Sequence, residues 1–152
     1  MKALDRRPEG LPMAFELHEH DTWRRLHARL DHCRHEQAHP LFAAGLDALD
    51  IGGAGIPDLD AVNRRLFALT GWCGVEVAGL EDGRSFFAML GRREFPIGAF
   101  IRDAKDLSYT PAPDVFHDMY GHLPFLADRQ YADFCERFGR TASVYATTAE
   151  RL

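Results

Sequence analysis

Two histidines stand five positions apart in His117-Asp118-Met119-Tyr120-Gly121-His122. Each residue of a regular α-helix advances by about 100°, so positions five apart point about 140° away from each other. The two imidazoles converge only where the helix ends between them or is distorted. Gly121 offers such a break, because glycine accepts the backbone conformations of a helix end. The interval also differs from the His-Glu-x-x-His of zinc proteases, whose ligands lie four apart on one face. Asp118 is a poor substitute for that motif's glutamate. Spacing alone leaves two readings open: the start of a metal site, or two unrelated histidines of core or surface.

The rest of the composition narrows the setting. A length of 152 residues with 46% hydrophobic and 27% charged residues suits one globular domain with a real core. The net charge of −5 and the lack of a basic face argue against nucleic acid as a partner. No apolar run approaches the roughly 18 residues of a membrane span. The polar stretch Met1 to Met13 lacks a signal peptide's apolar centre. Cys33, Cys73 and Cys135 are odd in number and scattered, which fits a cytoplasmic protein better than a disulfide framework.

Local signals predict a mainly α fold with minor β. Residues 1–19 read as a flexible lead-in and 20–152 as one domain. Asp21 caps a helix to about His39, with Trp23, Leu26, Leu30 and Cys33 inward. Pro40 opens a second helix, ended by Gly52-Gly53-Ala54-Gly55. Asp58 caps a third, closed by Gly71. Val75 to Val77 forms a short strand, Asp82 starts a helix, and Phe95 to Ile101 is extended. Residues 103–112 form a loop, since Pro111 and Pro113 restrict their neighbours. Pro113 then opens a helix carrying His117, which Gly121 and Pro124 end. A last helix over Ala127 to Phe138 turns Tyr131, Phe134, Cys135 and Phe138 inward.

A second feature enlarges the first. From about Trp23 to Arg140, the chain carries Ile56-Pro57-Asp58, Leu69-Thr70-Gly71-Trp72, Val77-Ala78-Gly79-Leu80 and Phe95-Pro96. Phe100-Ile101-Arg102, Pro113-Asp114-Val115-Phe116-His117-Asp118 and Gly121-His122-Leu123-Pro124-Phe125-Leu126 follow in order. These blocks resemble the catalytic domain of the pterin-dependent aromatic amino acid hydroxylases, above all the compact bacterial phenylalanine 4-hydroxylases. The resemblance implies a helical basket, incomplete here on its C-terminal side. It implies hydroxylation of an aromatic amino acid, L-phenylalanine to L-tyrosine in the first instance, by a monomeric monooxygenase. O2, a tetrahydropterin and a non-haem Fe(II) take part, the iron held by two histidines and one carboxylate.

His117 and His122 match the family's histidine ligands. Gly79 and Leu80 match the loop whose backbone contacts the pterin, and Phe86 the aromatic that stacks on it. By spacing alone, Phe86 reads rather as plain core. Asp118 matches an acid that reaches the pterin through water. Arg102 matches the residue that grips the substrate carboxylate, a role suited to a guanidinium fork. Asp114 matches the acid that orients that arginine; without the resemblance the two read as a surface ion pair. The resemblance also puts Tyr109 and Thr110 on the same wall, and Pro113 matches a residue packing near the substrate ring.

The family's third iron ligand is a glutamate in an aromatic segment farther downstream. Glu150 lacks that context, so the ligand is expected beyond Leu152. The 152-residue polypeptide is then expected to be inactive or nearly so, with apolar surface left bare. Two other function classes remain: a binding module without chemistry, and a zinc hydrolase using His117 and His122. A second metal candidate is the helical series His32, His35, Glu36 and His39, with Cys33 beside it.

Overall fold

A computed structural model describes residues 13–149. Helices dominate, and a sheet of two strands lies among them. The order is α1 (Leu17–Arg29), α2 (Asp31–Gln37), α3 (Pro40–Leu49), α4 (Leu59–Thr70), β1 (Cys73–Val77), α5 (Gly83–Gly91) and β2 (Glu94–Gly98). A π-helix (Phe116–Tyr120), α6 (Leu123–Leu126) and α7 (Arg129–Ala149) complete it.

Several helix ends follow local chemistry. The Asp58 and Asp82 carboxylates accept the Ala61 and Ser85 backbone N–H groups. Pro40 occupies the first turn of α3, and Gly71 closes α4 at φ 75°. Other ends differ from expectation. The first helix begins at Leu17, where Glu16 and Glu19 form a reciprocal capping box, so the helix takes in the end of the expected lead-in. Most of that lead-in, residues 1–12, lies outside the described residues. The expected single helix to His39 breaks at Leu30, and His39 instead caps α3 by accepting the Leu41 N–H. Asp50, not the glycine run, terminates α3 at φ 54°.

β1 and β2 pair in parallel, with Cys73 opposite Glu94 and Val77 opposite Gly98. Parallel strands need a crossover, and α5 supplies it. Both strands therefore finish at the same end of the molecule, where the histidine segment lies. The core behind that segment is aromatic. Trp23 is fully buried, meets Phe116 edge-on at 4.9 Å, and donates its indole N–H to the Gly52 carbonyl. Phe116 in turn stacks on Tyr120 at 4.6 Å. Such aromatic pairs add about 0.5–1.5 kcal/mol each beyond burial.

The last helix departs most from its expected pattern. It starts at Arg129 and runs to Ala149, and its buried residues, among those described, are Ala132 and Gly139. Tyr131, Phe134 and Phe138 are 39%, 57% and 50% exposed, where an inward stripe was expected. Helical spacing identifies the stripe, but only the neighbouring elements decide what covers it. Arg93, at φ 60°, fastens this helix to the strand side by donating to Asp133, Glu136 and the Thr70 carbonyl.

One contact sets the distance between α3 and the floor of the site. A Cβ added at Gly45 would lie 2.0 Å from the Pro124 carbonyl oxygen. Both partners are backbone, so neither can swing aside. Gly45→Ala is expected to destabilise the fold by about 1–3 kcal/mol, as overpacking does. Urea unfolding monitored by circular dichroism measures it, and an unchanged midpoint would contradict the contact.

Candidate metal centre

The strain in the histidine interval is resolved by a change of helix type. Residues 116–120 wind as a π-helix, whose hydrogen bonds run from i to i+5, so positions five apart come onto one side. The expected break at Gly121 is absent: Gly121 has right-handed helical angles, φ −83° and ψ −36°. Pro124 does not end the segment either, but sits in the first turn of α6. The wider turn does what a helix end was expected to do.

The outcome is a close pair of imidazoles. Their ring centroids are 4.8 Å apart with planes at 66°. One nitrogen or oxygen from each of His117, Asp118 and His122 lies within 4.8 Å of the others, the one such trio among the described residues. The alternative series on the second helix is not gathered. Its His32 ring meets Cys33, His35 lies near Asp31, and His39 is spent on its cap.

Asp118 is buried and fully engaged. Its Oδ2 accepts the Gly98 backbone N–H at 2.8 Å, and its Oδ1 lies 3.0 Å from His117 Nδ1. Gly98 is required at that spot, since a Cβ there would meet the Pro113 carbonyl oxygen at 2.5 Å. Asp114, wholly buried, accepts the His117 backbone N–H and so caps the turn. It also accepts two N–H groups of the Arg102 guanidinium and the Arg102 backbone N–H. A third guanidinium N–H goes to the Leu107 carbonyl. Two of the five donors of Arg102 then remain.

His117, Asp118 and His122 border a cavity of about 230 Å³. Gly79, Leu80, Phe86 and Pro113 line it too, so the expected cofactor-loop residues share a space with the histidines. Arg102, Asp114, Tyr109 and Thr110 do not line it. Tyr109 is exposed, and Thr110 donates to the Ala112 carbonyl. Val77, Glu81, Phe95, Pro96 and Gly98 complete the wall, and sequence reasoning assigned none of them a role. The signal for Phe95 and Pro96 was their place in a matching block.

Electrostatics divide the two histidines. His117 is nearly half exposed, whereas burial pushes the His122 imidazole below the ordinary histidine value, and the neighbouring His117 adds to that shift. Burial pushes Asp118 above the ordinary carboxylate value, opposed by its hydrogen bonds to His117 and Gly98.

Two close imidazoles, one half-exposed and one partly buried, stand beside an engaged carboxylate at a mostly apolar cavity, the donor set of the histidine–carboxylate class of metal site. The chain belongs to the biopterin-dependent aromatic amino acid hydroxylases, whose family model matches residues 7–150. It is 45% identical over 121 residues to a phenylalanine-4-hydroxylase of Caulobacter vibrioides, covering 80% of this chain and 41% of that one. The structure of Chromobacterium violaceum phenylalanine hydroxylase bound to cobalt superposes with a TM-score of 0.86 at 34% identity, covering 93% of this chain and 52% of that one. Another structure of that hydroxylase, with bound iron(III) and oxidised 7,8-dihydrobiopterin, superposes with a TM-score of 0.83 at 34% identity, covering 88% of this chain and 50% of that one. The chain thus spans about half the length of these relatives or less.

The depressed His122 value has a consequence for stability. The unfolded chain binds that proton more tightly than the folded one, so this contribution is complete above about pH 6.5 and is lost as pH falls through the window below it. In the metal-free protein, proton NMR is expected to place the His122 titration midpoint below 6.5. A midpoint at or above that value would overturn the burial argument.

Proposed function

We propose that this chain forms the two-histidine side of a ferrous centre and the pterin wall of a hydroxylase acting on L-phenylalanine. The product is L-tyrosine, and O2 and a tetrahydropterin are the co-reactants. The observation that carries this reading is the π-helix that brings His117 and His122 together at the edge of a cavity shared with Gly79, Leu80 and Phe86. The phenylalanine-4-hydroxylase relatives favour phenylalanine over tyrosine or tryptophan.

The residues fit the two groups. Imidazoles with one carboxylate suit Fe(II), and ligation needs the neutral imidazole that the depressed His122 value favours. Asp118 accepts the His117 Nδ1 proton and leaves Nε2 for the metal, a usual arrangement for a ligating histidine. A Cβ at Gly79 would meet nothing within 4 Å, so a flat ring can approach the backbone of that loop. Phe86 presents an apolar ring on the same cavity, held edge-on against Phe95 at 6.0 Å. When bound, the iron and the pterin supply the electrons and the site for using O2. The protein's part is to orient the imidazoles, to stack the cofactor on Phe86, and to limit water with Val77, Phe95 and Pro96. Asp114 fixes the Arg102 fork from behind, and the two free guanidinium donors take the substrate carboxylate. Tyr109, Thr110 and Pro113 belong to the substrate side.

Within the described residues, Asp118 is the one carboxylate grouped with the histidines, and its two oxygens are already engaged by Gly98 and His117. The third iron ligand is therefore assigned to a carboxylate outside the described residues. The functional form is assigned as a monomer of the cytoplasm. Among the described residues, no helix is long and apolar enough to cross a membrane.

Anaerobic Fe(II) titration and a tyrosine-formation assay test the proposal. The 152-residue polypeptide is expected to bind iron weakly and to form little or no tyrosine. His117→Ala and His122→Ala are each expected to weaken iron binding by about tenfold or more, since losing a ligand costs at least what losing its supporting partner does. Unchanged iron binding in both variants would remove the centre. Rapid pterin-dependent tyrosine formation by these 152 residues alone would contradict the expected weak iron site.

A further inference from the structure

The two imidazoles are held in different ways. His117 has a hydrogen-bonding partner, because Asp118 lies against its Nδ1 and is itself anchored by Gly98. The His122 ring has no hydrogen bond to any described side chain or backbone group. Its broad contact is the face of Phe95, stacked on it with centroids 4.7 Å apart and planes at 29°. A histidine ligand normally takes its orientation from a hydrogen bond at its second nitrogen. Here an aromatic plane occupies that role.

Phe95 is itself rigidly placed. Its backbone pairs with Gly74 in the parallel sheet, and the following Pro96 restricts it to extended angles. Its side chain is buried, and the Phe86 ring meets it edge-on at 84°. Together with Phe86 and His122 it borders both the metal-side cavity and the apolar groove under Phe134 and Phe138, so it is part of the wall between them. Rotation of the His122 ring about its bond to Cβ would drive the imidazole edge into that wall.

We infer that Phe95 is a positioning residue, which fixes the ring plane of His122 and so aims its ligating nitrogen. The inference rests on the metal-centre reading above. Strand β2 then serves both imidazoles, since its Gly98 end sets His117 through Asp118 and its Phe95 sets His122 by stacking.

The test uses Co(II) alone as the probe, with affinity from equilibrium dialysis and site geometry from the visible spectrum. Phe95→Leu, which keeps apolar bulk but removes the plane, is expected to weaken Co(II) binding on the order of 10- to 100-fold and to alter the spectrum. Phe95→Tyr, which keeps the plane, is expected to stay within about twofold of the parent on the same scale. Val62→Ala, in the core on α4, serves as the control. It should lower the unfolding temperature and leave Co(II) binding alone. A Phe95→Leu protein that binds Co(II) like the parent, while His122→Ala does not, overturns the inference. If Phe95→Leu does not fold, the unaltered protein decides: stacking shifts the His122 ring-proton resonances upfield, and unshifted resonances overturn it. If His122→Ala leaves Co(II) binding unchanged, the metal reading falls, and the ring-proton shifts still report whether Phe95 fixes the imidazole.

Discussion

The wide turn over Phe116–Tyr120 governs the rest of the structure. A regular helix through this segment would send one imidazole into the core and the other toward solvent. The π-helix avoids that at the cost of poorer backbone geometry, and its neighbours hold it in place. Asp114 caps it from below through the His117 N–H. Phe116 and Tyr120 press its other side against Trp23 and Phe42. The turn is stable because groups on several other elements depend on its shape.

That dependence explains why the small sheet matters beyond its size. Two parallel strands of five residues each would be marginal alone. Here β2 lies beside the histidine turn, and the Val115 N–H bonds to the Phe100 carbonyl just beyond it. The strand carries a glycine where a backbone must come close and a phenylalanine where a flat surface is needed. Burial then tunes the charges. Asp118 is held in a poorly solvated place by the Gly98 N–H and the His117 ring, and the same desolvation pushes the His122 imidazole below its ordinary value.

Much of this was legible in the sequence wherever local chemistry decides. Asp58, Asp82, Pro40 and Gly71 mark helix ends through their own side chains or backbone freedom, and the structure places them there. His117, His122, Gly79, Leu80, Phe86 and Asp118 came from matching motifs, and they meet at one cavity. Other features depend on partners distant in the chain. The π-helix cannot be told from a broken α-helix by counting residues, since both satisfy a five-residue interval. The aromatic stripe on α7 has helical spacing whether it is covered or bare. Phe95 looks like any strand residue with its side chain inward, and only the stacking geometry gives it a further role. Arg102 and Asp114 do meet, yet they stand behind the histidine turn rather than on the cavity wall.

The parallel pairing of the strands has one more implication. The segment between Val77 and Asp82 leaves the sheet at the cavity and carries Leu80 out to 77% exposure. The opposite margin is built from Gly98, Asp118 and the histidine turn, packed into the interior. Changes of length or sequence in the rim disturb few buried contacts, whereas changes in the floor disturb many. The architecture thus separates a plastic lip, free to adapt to the shape of a guest molecule, from a rigid base whose amino acids are tied to one another.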